Sequence, residues 1–156
     1  MKISILAVGR LRRGPEGQMV ADYLKRFDQT GRRLGLGPAQ LREVEDRRGG
    51  GAEAESALLL AALPDGAALV ALDERGETPS SPEFARWLAE WRDQGRGHVA
   101  FAIGGADGHA PALRARADRL LSFGPMVWPH MLARVMLAEQ LYRAASILAG
   151  APYHRA

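Results

Sequence analysis

Four apolar runs, each stopped by a glycine or a polar turn, constrain this chain more than any other feature. Ile3–Val8 ends at Gly9, Ala67–Leu72 at Asp73, Val99–Ile103 at Gly104-Gly105, and the short run Arg119–Leu121 at Ser122. None alternates cleanly between apolar and polar residues, which predicts strands covered on both faces in a mainly parallel sheet. A further strand is expected at Gln40–Val44. Helical spacing fills the gaps. Pro15–Phe27 repeats apolar residues at Met19, Val20, Tyr23, Leu24 and Phe27, and Ala52–Leu63 is rich in Ala and Leu up to the Pro64-Asp65-Gly66 turn. Ser81–Gln94 offers Ser81 as an N-cap, Pro82 at the first helical position and Glu83 in the first turn. Pro111–Ala117 reads as a short helix, and Met131–Ala149 as a long apolar one ending at Gly150.

Strands alternating with helices predict an α/β architecture with right-handed crossovers. Ligands of such sheets bind beyond the carboxyl ends of the strands. Here those ends are Asp73-Glu74-Arg75-Gly76, Gly104-Gly105-Ala106-Asp107-Gly108 and Ser122-Phe123-Gly124-Pro125. At 156 residues the chain is expected to form a single domain spanning 1–156. It has no cysteine, so disulfides, thiolate metal sites and a cysteine nucleophile are excluded. Its four histidines lack metal-ligand spacing, and no catalytic metal is expected. No apolar stretch approaches the ~18 residues of a membrane span. The N-terminal apolar run is too short for a signal-peptide core, so a cytoplasmic protein is expected.

The formal net charge is only +3, with 19 Arg and 2 Lys. It is unevenly spread: residues 1–50 carry 11 basic and 6 acidic side chains, residues 51–100 carry 4 and 9, and residues 101–156 carry 6 and 3. A GC-rich genome would produce the arginine excess, and so would a basic face suited to phosphate. Non-specific nucleic-acid binding needs more charge than this, so a nucleic-acid partner would require a shaped site.

Several segments carry two readings from their residues alone. Gly104–Gly108 is a tight turn or a close approach of backbone to a ligand; its spacing is neither GxGxxG nor a phosphate loop, which disfavours a dinucleotide. The apolar loop ending in Met126, Val127, Trp128, Pro129 and His130 plugs the core or holds a flat heterocycle. Glu139 and Arg143 form an i,i+4 ion pair at a surface or a dimer interface. The tail Tyr153-His154-Arg155 is a frayed end or an active-site flap. Asp107 is expected to cap the helix after it. There is no GxSxG and no Ser/His/Asp set.

Taken together, Leu72-Asp73 with Gly76, Ser80-Ser81-Pro82-Glu83-Phe84-Ala85, Phe101–Gly108, Leu121-Ser122, Pro129-His130, Arg134-Val135, Glu139–Ala144 and Pro152–Arg155 resemble the RlmH (YbeA) family of SPOUT methyltransferases. The resemblance covers the whole chain and is most specific over its last 35 residues. It implies a SPOUT-like α/β fold with a deep C-terminal trefoil knot and a homodimer with the last helix in the interface. It implies S-adenosyl-L-methionine as cofactor and N3 of a pseudouridine in 23S rRNA, within the assembled ribosome, as substrate. By the same resemblance the donor pocket would use Leu72, Gly104, Gly105, Phe123, Gly124, Pro125, Met126, Val127 and Trp128. Tyr153, His154 and Arg155 would bind substrate, with His154 and Arg155 catalytic, in the neighbouring subunit's site. Val127 stands where a threonine is usual and Gly124-Pro125 stiffens the loop. These departures leave a catalytically inactive, ribosome-associated RNA-binding protein of the same fold as the alternative.

Overall fold

A computed structural model describes residues 1–11 and 13–154. Five strands, β1 (Lys2–Val8), β2 (Ala39–Val44), β3 (Ala68–Glu77), β4 (His98–Ile103) and β5 (Arg119–Leu121), form one sheet in the order β2-β1-β4-β3-β5. Every pairing is parallel. Four α-helices lie between consecutive strands, α1 (Pro15–Gly31), α2 (Gly51–Ala62), α3 (Ser81–Asp93) and α4 (Pro111–Arg116), and α5 (His130–Leu148) follows β5.

Both faces of the sheet are covered, as the unalternating runs predict. Ile3, Ile5, Ala7, Val70, Phe101 and Ile103 point to one face and pack against α1, α3 and α5. Leu6, Val8, Leu69, Ala71, Ala100 and Ala102 point to the other and meet Leu59 of α2 and Leu113 of α4. The second layer uses small side chains on β3 and β4, so two short helices suffice to cover it.

Two expected boundaries shift. The N-cap of α3 is Ser80, not Ser81: the Glu83 amide donates to Ser80 Oγ at 3.3 Å, and the Ser80 amide donates to Glu83 Oε2 at 2.7 Å. This reciprocal box satisfies two amides that a cap at Ser81 would leave bare. A Ser80→Ala variant is expected to lose about 1 kcal/mol, seen as a fall of roughly 2–4 °C in the melting temperature. Asp107 does not cap α4 either; Ala110 holds that position, with no side-chain cap.

The third strand differs more. It runs on through Asp73-Glu74-Arg75-Gly76 to Glu77, and Leu121 pairs with both Leu72 and Glu77. Residues 73–76 therefore arch past β5. Gly76 makes the crossing possible: a Cβ built there would stand 2.6 Å from the Leu120 carbonyl carbon and 2.7 Å from the Leu121 nitrogen. The Ser122 amide then donates to the Glu77 carbonyl at 2.8 Å.

Candidate functional site

The ends of β3, β4 and β5 meet in an open cleft of about 200 Å³. Leu72, Gly104, Gly105, Phe123, Gly124, Met126, Val127 and Trp128 all line it, so eight of the nine residues expected to hold a donor are brought together. Pro125 belongs to the same loop but does not face the space. The loop before α5 is not a core plug: Met126 is 72% exposed and Val127 90%. So much bare apolar surface beside a cleft marks a surface awaiting cover. The turn leading into the loop is pinned by Ser122, whose Oγ accepts the Gly124 amide at 3.0 Å, and Gly124 takes a φ of 102° that other residues avoid.

Four residues at or beneath the cleft were given no role by sequence reasoning. Asp73 lines the cleft, yet its carboxylate is almost buried and accepts the Arg75 amide at 2.9 Å. The side chain of Glu55, on α2, lies behind Gly105; burial, then Asp107 and Asp46, raise its pKa above the ordinary glutamate value. His130, the first residue of α5, lines the cleft with its Nδ1 buried and unpartnered. Burial and the nearby Arg134 guanidinium lower its pKa, so its ring is neutral at pH 7. One turn on, Arg134 is 0% exposed. It donates to the Val8 carbonyl at 2.6 Å, the Gly9 carbonyl at 2.9 Å and Glu43 Oε2 at 2.8 Å. It thus ties the start of α5 to the carboxyl ends of β1 and β2. The Pro129-His130 and Arg134 pattern was visible in the sequence, but no spacing rule announces a buried guanidinium four residues after a histidine.

The tail packs on α5. Tyr153 donates to Glu139 Oε1 at 3.0 Å, its ring lies 4.6 Å from that of Tyr142, and the Arg143 guanidinium is 4.9 Å from its ring centre. Burial, then the hydrogen bond to Glu139, pushes the Tyr153 phenol up to about 12, so it stays a donor at neutral pH. Glu139 also accepts from Arg143 Nη2 at 2.6 Å, and this bond raises the Arg143 pKa. The expected Glu139–Arg143 pair is therefore present, half-buried and sealed by the tail. His154 has a buried, unpartnered Nδ1. Arg155 lies outside the described residues. Neither Tyr153 nor His154 lines the cleft of the same chain.

A second, larger cavity of about 530 Å³ opens between α1, α3 and α5, walled by Tyr23, Phe84, Phe123, Val135, Met136 and Glu139. The Leu121–Gly124 segment separates it from the cleft and lines both. Among the described residues no cluster of acidic or histidine side chains suits a metal ion, and no helix is long and apolar enough to cross a membrane.

The fold is an all-parallel α/β sheet with an open cleft at the ends of β3, β4 and β5, and comparison with known proteins identifies its family. A family model described as "Predicted SPOUT methyltransferase" matches residues 1–154. The chain belongs to the SPOUT methyltransferase family. Curated relatives include proteins named "Ribosomal RNA large subunit methyltransferase H" from Roseobacter denitrificans, 68% identical over 155 residues, and from Cereibacter sphaeroides, 70% identical over 155 residues; each comparison covers 99% of both chains. Among solved structures, a probable methylase family protein from Haemophilus influenzae Rd KW20 superposes with a TM-score of 0.57 at 13% identity, covering 99% of this chain and 70% of that one. TrmJ from Z. mobilis ZM4 gives 0.53 at 19% identity, covering 92% and 70%. These two share the fold.

Proposed function

We propose that this protein is an S-adenosyl-L-methionine-dependent methyltransferase acting on large-subunit ribosomal RNA, at N3 of a pseudouridine of 23S rRNA in the assembled ribosome. The observation that carries the reading is the convergence of Leu72, Gly104-Gly105 and the 123–128 loop in one cleft, in a chain 68–70% identical to relatives named as large-subunit ribosomal RNA methyltransferases.

The cleft suits the donor. A flat adenine and a sulfonium need apolar walls, close backbone and little water. Leu72, Phe123, Met126, Val127 and Trp128 supply the walls. Gly104 and Gly105 bring backbone to the surface without side chains. When bound, S-adenosyl-L-methionine supplies an electrophilic methyl group. The chain's part is positioning and exclusion of water. On the 126–128 loop, the exposed apolar side chains of Met126, Val127 and Trp128 would hold the cofactor and be covered by it. Pro125 shapes that loop rather than touching the ligand. The chain acts as a single domain and carries the family's C-terminal trefoil knot.

N3 of a pseudouridine must lose its proton before or during attack. His154 accepts that proton, directly or through water, or Arg155 steadies the resulting anion; Tyr153 anchors the tail to Glu139 and adds an aromatic face for a base. Because Tyr153 binds its own α5 and not its own cleft, the tail serves the cleft of a second copy. The apolar cavity between α1, α3 and α5 is the surface such a homodimer covers. Specificity rests on the combined basic surface of the dimer and on ribosomal context, in the cytoplasm.

Calorimetric titration with S-adenosyl-L-methionine and methyl transfer to ribosomes lacking the modification test the reading. Binding and transfer to intact ribosomes, with little on a naked hairpin, are expected. Loss of donor binding would leave the inactive RNA-binding protein as the better account. His154→Ala and Arg155→Ala, made separately, should each lower turnover by roughly 10²-fold, the usual scale of a proton-transfer group, with donor affinity within about twofold. Unchanged turnover in both variants would remove the tail from the chemistry.

A further inference from the structure

The ladder between β3 and β4 stops at Ala71↔Ala102. Beyond it the strands part: Leu72 continues the pairing with β5 that begins at Val70, while Ile103 stays beside β1. The donor cleft opens in this fork, with Leu72 on one prong and Gly104 on the other. The His109 side chain packs beside the Gly104 prong. His109 is only 6% exposed, and its Nε2 lies 3.1 Å from the Ala102 carbonyl. A carbonyl can only accept, so Nε2 carries the proton and Nδ1 of the neutral ring is a bare acceptor. That Nδ1 is buried without a partner, and a Cβ built on Gly104 would stand 3.2 Å from it. The imidazole therefore touches β4 with one nitrogen and backs the glycine turn with the other.

Its surroundings hold it there. Arg114 donates to the His109 carbonyl and reaches to 3.9 Å from Asp73 Oδ2. The neighbouring Ala110 amide donates to the buried Ser56 hydroxyl at 2.9 Å. Asp73 and the carbonyls of Ala102 and Leu72 favour the charged ring, Arg114 opposes it, and burial outweighs all of them, so the ring is neutral at pH 7.

We infer that His109 is a positioning residue for the methyl donor: its neutral imidazole sets the gap between Leu72 and Gly104, and so the width of the cleft. This rests on the reading of that cleft as the S-adenosyl-L-methionine site. A buried acceptor without a partner costs stability in an unliganded fold, and an aliphatic side chain would fill the space without that cost. Charging the ring places a cation beside Arg114 and a second N–H against the Gly104 turn.

The test compares donor binding by wild type, His109→Leu and His109→Gln using calorimetry with S-adenosyl-L-methionine, alongside steady-state kinetics on ribosomes. Leucine keeps the bulk and removes both nitrogens; glutamine restores one donor and one acceptor. The leucine variant should bind the donor about tenfold more weakly and raise its KM tenfold. Its kcat at saturating donor and its KM for ribosomes should stay within twofold. Glutamine should recover most of the affinity. Wild-type affinity should be flat from pH 8 to 7 and fall only on the acid side of the ordinary histidine range, because burial lowers the His109 pKa, and that acid limb should flatten in the glutamine variant. A folded leucine variant with wild-type donor affinity overturns the inference, because the site would then need only bulk; so does a glutamine variant no better than leucine, because the restored donor and acceptor would then do nothing. If the leucine variant does not fold, the glutamine pH profile decides: an acid limb identical to wild type refutes the role. Failure of the wild type itself to bind donor refutes the assignment of the cleft instead.

Discussion

Arg134→Met should lower the melting temperature by roughly 10 °C, from a loss of about 3–5 kcal/mol. The guanidinium is fully buried and reaches two backbone carbonyls and one carboxylate. Methionine fills most of the volume, so the loss measures hydrogen bonds rather than packing. It leaves the Val8 and Gly9 carbonyls without their donor and Glu43 without its cation. Glu43 Oε2 also accepts the Leu11 amide, so the vacancy spreads to the loop after β1. Arg134→Lys keeps the charge but not the fork, and is expected to fall between. Because His130 stands one turn earlier on α5 and lines the cleft, donor affinity should weaken as well. A melting temperature within about 2 °C of wild type would show that the buried cation does not hold α5 to the sheet.

The parts of the fold legible in the sequence are those whose reason is local. The β1 and β4 runs are apolar on both faces because both faces are covered, and their ends at Gly9 and Gly104 are chemical punctuation. The last helix was readable from its apolar span and Gly150. The strand-end rule already marks the Gly104 and Ser122–Pro125 turns as the ligand end of the sheet; the methyl donor itself comes only from the family resemblance, because Gly104-Gly105 and the 126–128 loop are ordinary turns taken singly. What stayed hidden depends on contacts far apart in the chain. Arg134 looked like one polar residue among several on α5; only its meeting with Val8, more than a hundred residues earlier, makes it a brace. His109 looked like a loop residue, since nothing nearby in sequence says that Ala102 and Gly104 close around it. The continuation of β3 was hidden for a related reason. Asp73-Glu74-Arg75-Gly76 has turn composition, and becomes strand only because β5 lies alongside to pair with Glu77.

That crossing carries the other large prediction. Gly76→Ala adds one methyl group, yet its Cβ would stand 2.6–2.7 Å from the carbonyl group of Leu120 and the nitrogen of Leu121. No side chain can swing aside there, because the obstacle is the backbone of β5. The φ at Gly76 is not in the left-handed region, so the cost is steric. Relief requires the arch of residues 73–76 to lift from β5, breaking the Ser122–Glu77 hydrogen bond and moving Leu121. The expected loss is about 3 kcal/mol, at the upper end for overpacking, with a drop of roughly 6–12 °C in melting temperature. Leu121 and Ser122 line the cleft, so donor affinity should fall by about tenfold or more, the change that a fraction of that strain produces at 1.4 kcal/mol per decade. Gly97→Ala is the control: nothing lies within 4 Å of a Cβ there, and its stability should stay within about 0.5 kcal/mol of wild type. If both alanines behave alike, the two segments are not pressed together at Gly76, and the arch around β5 loses its structural basis.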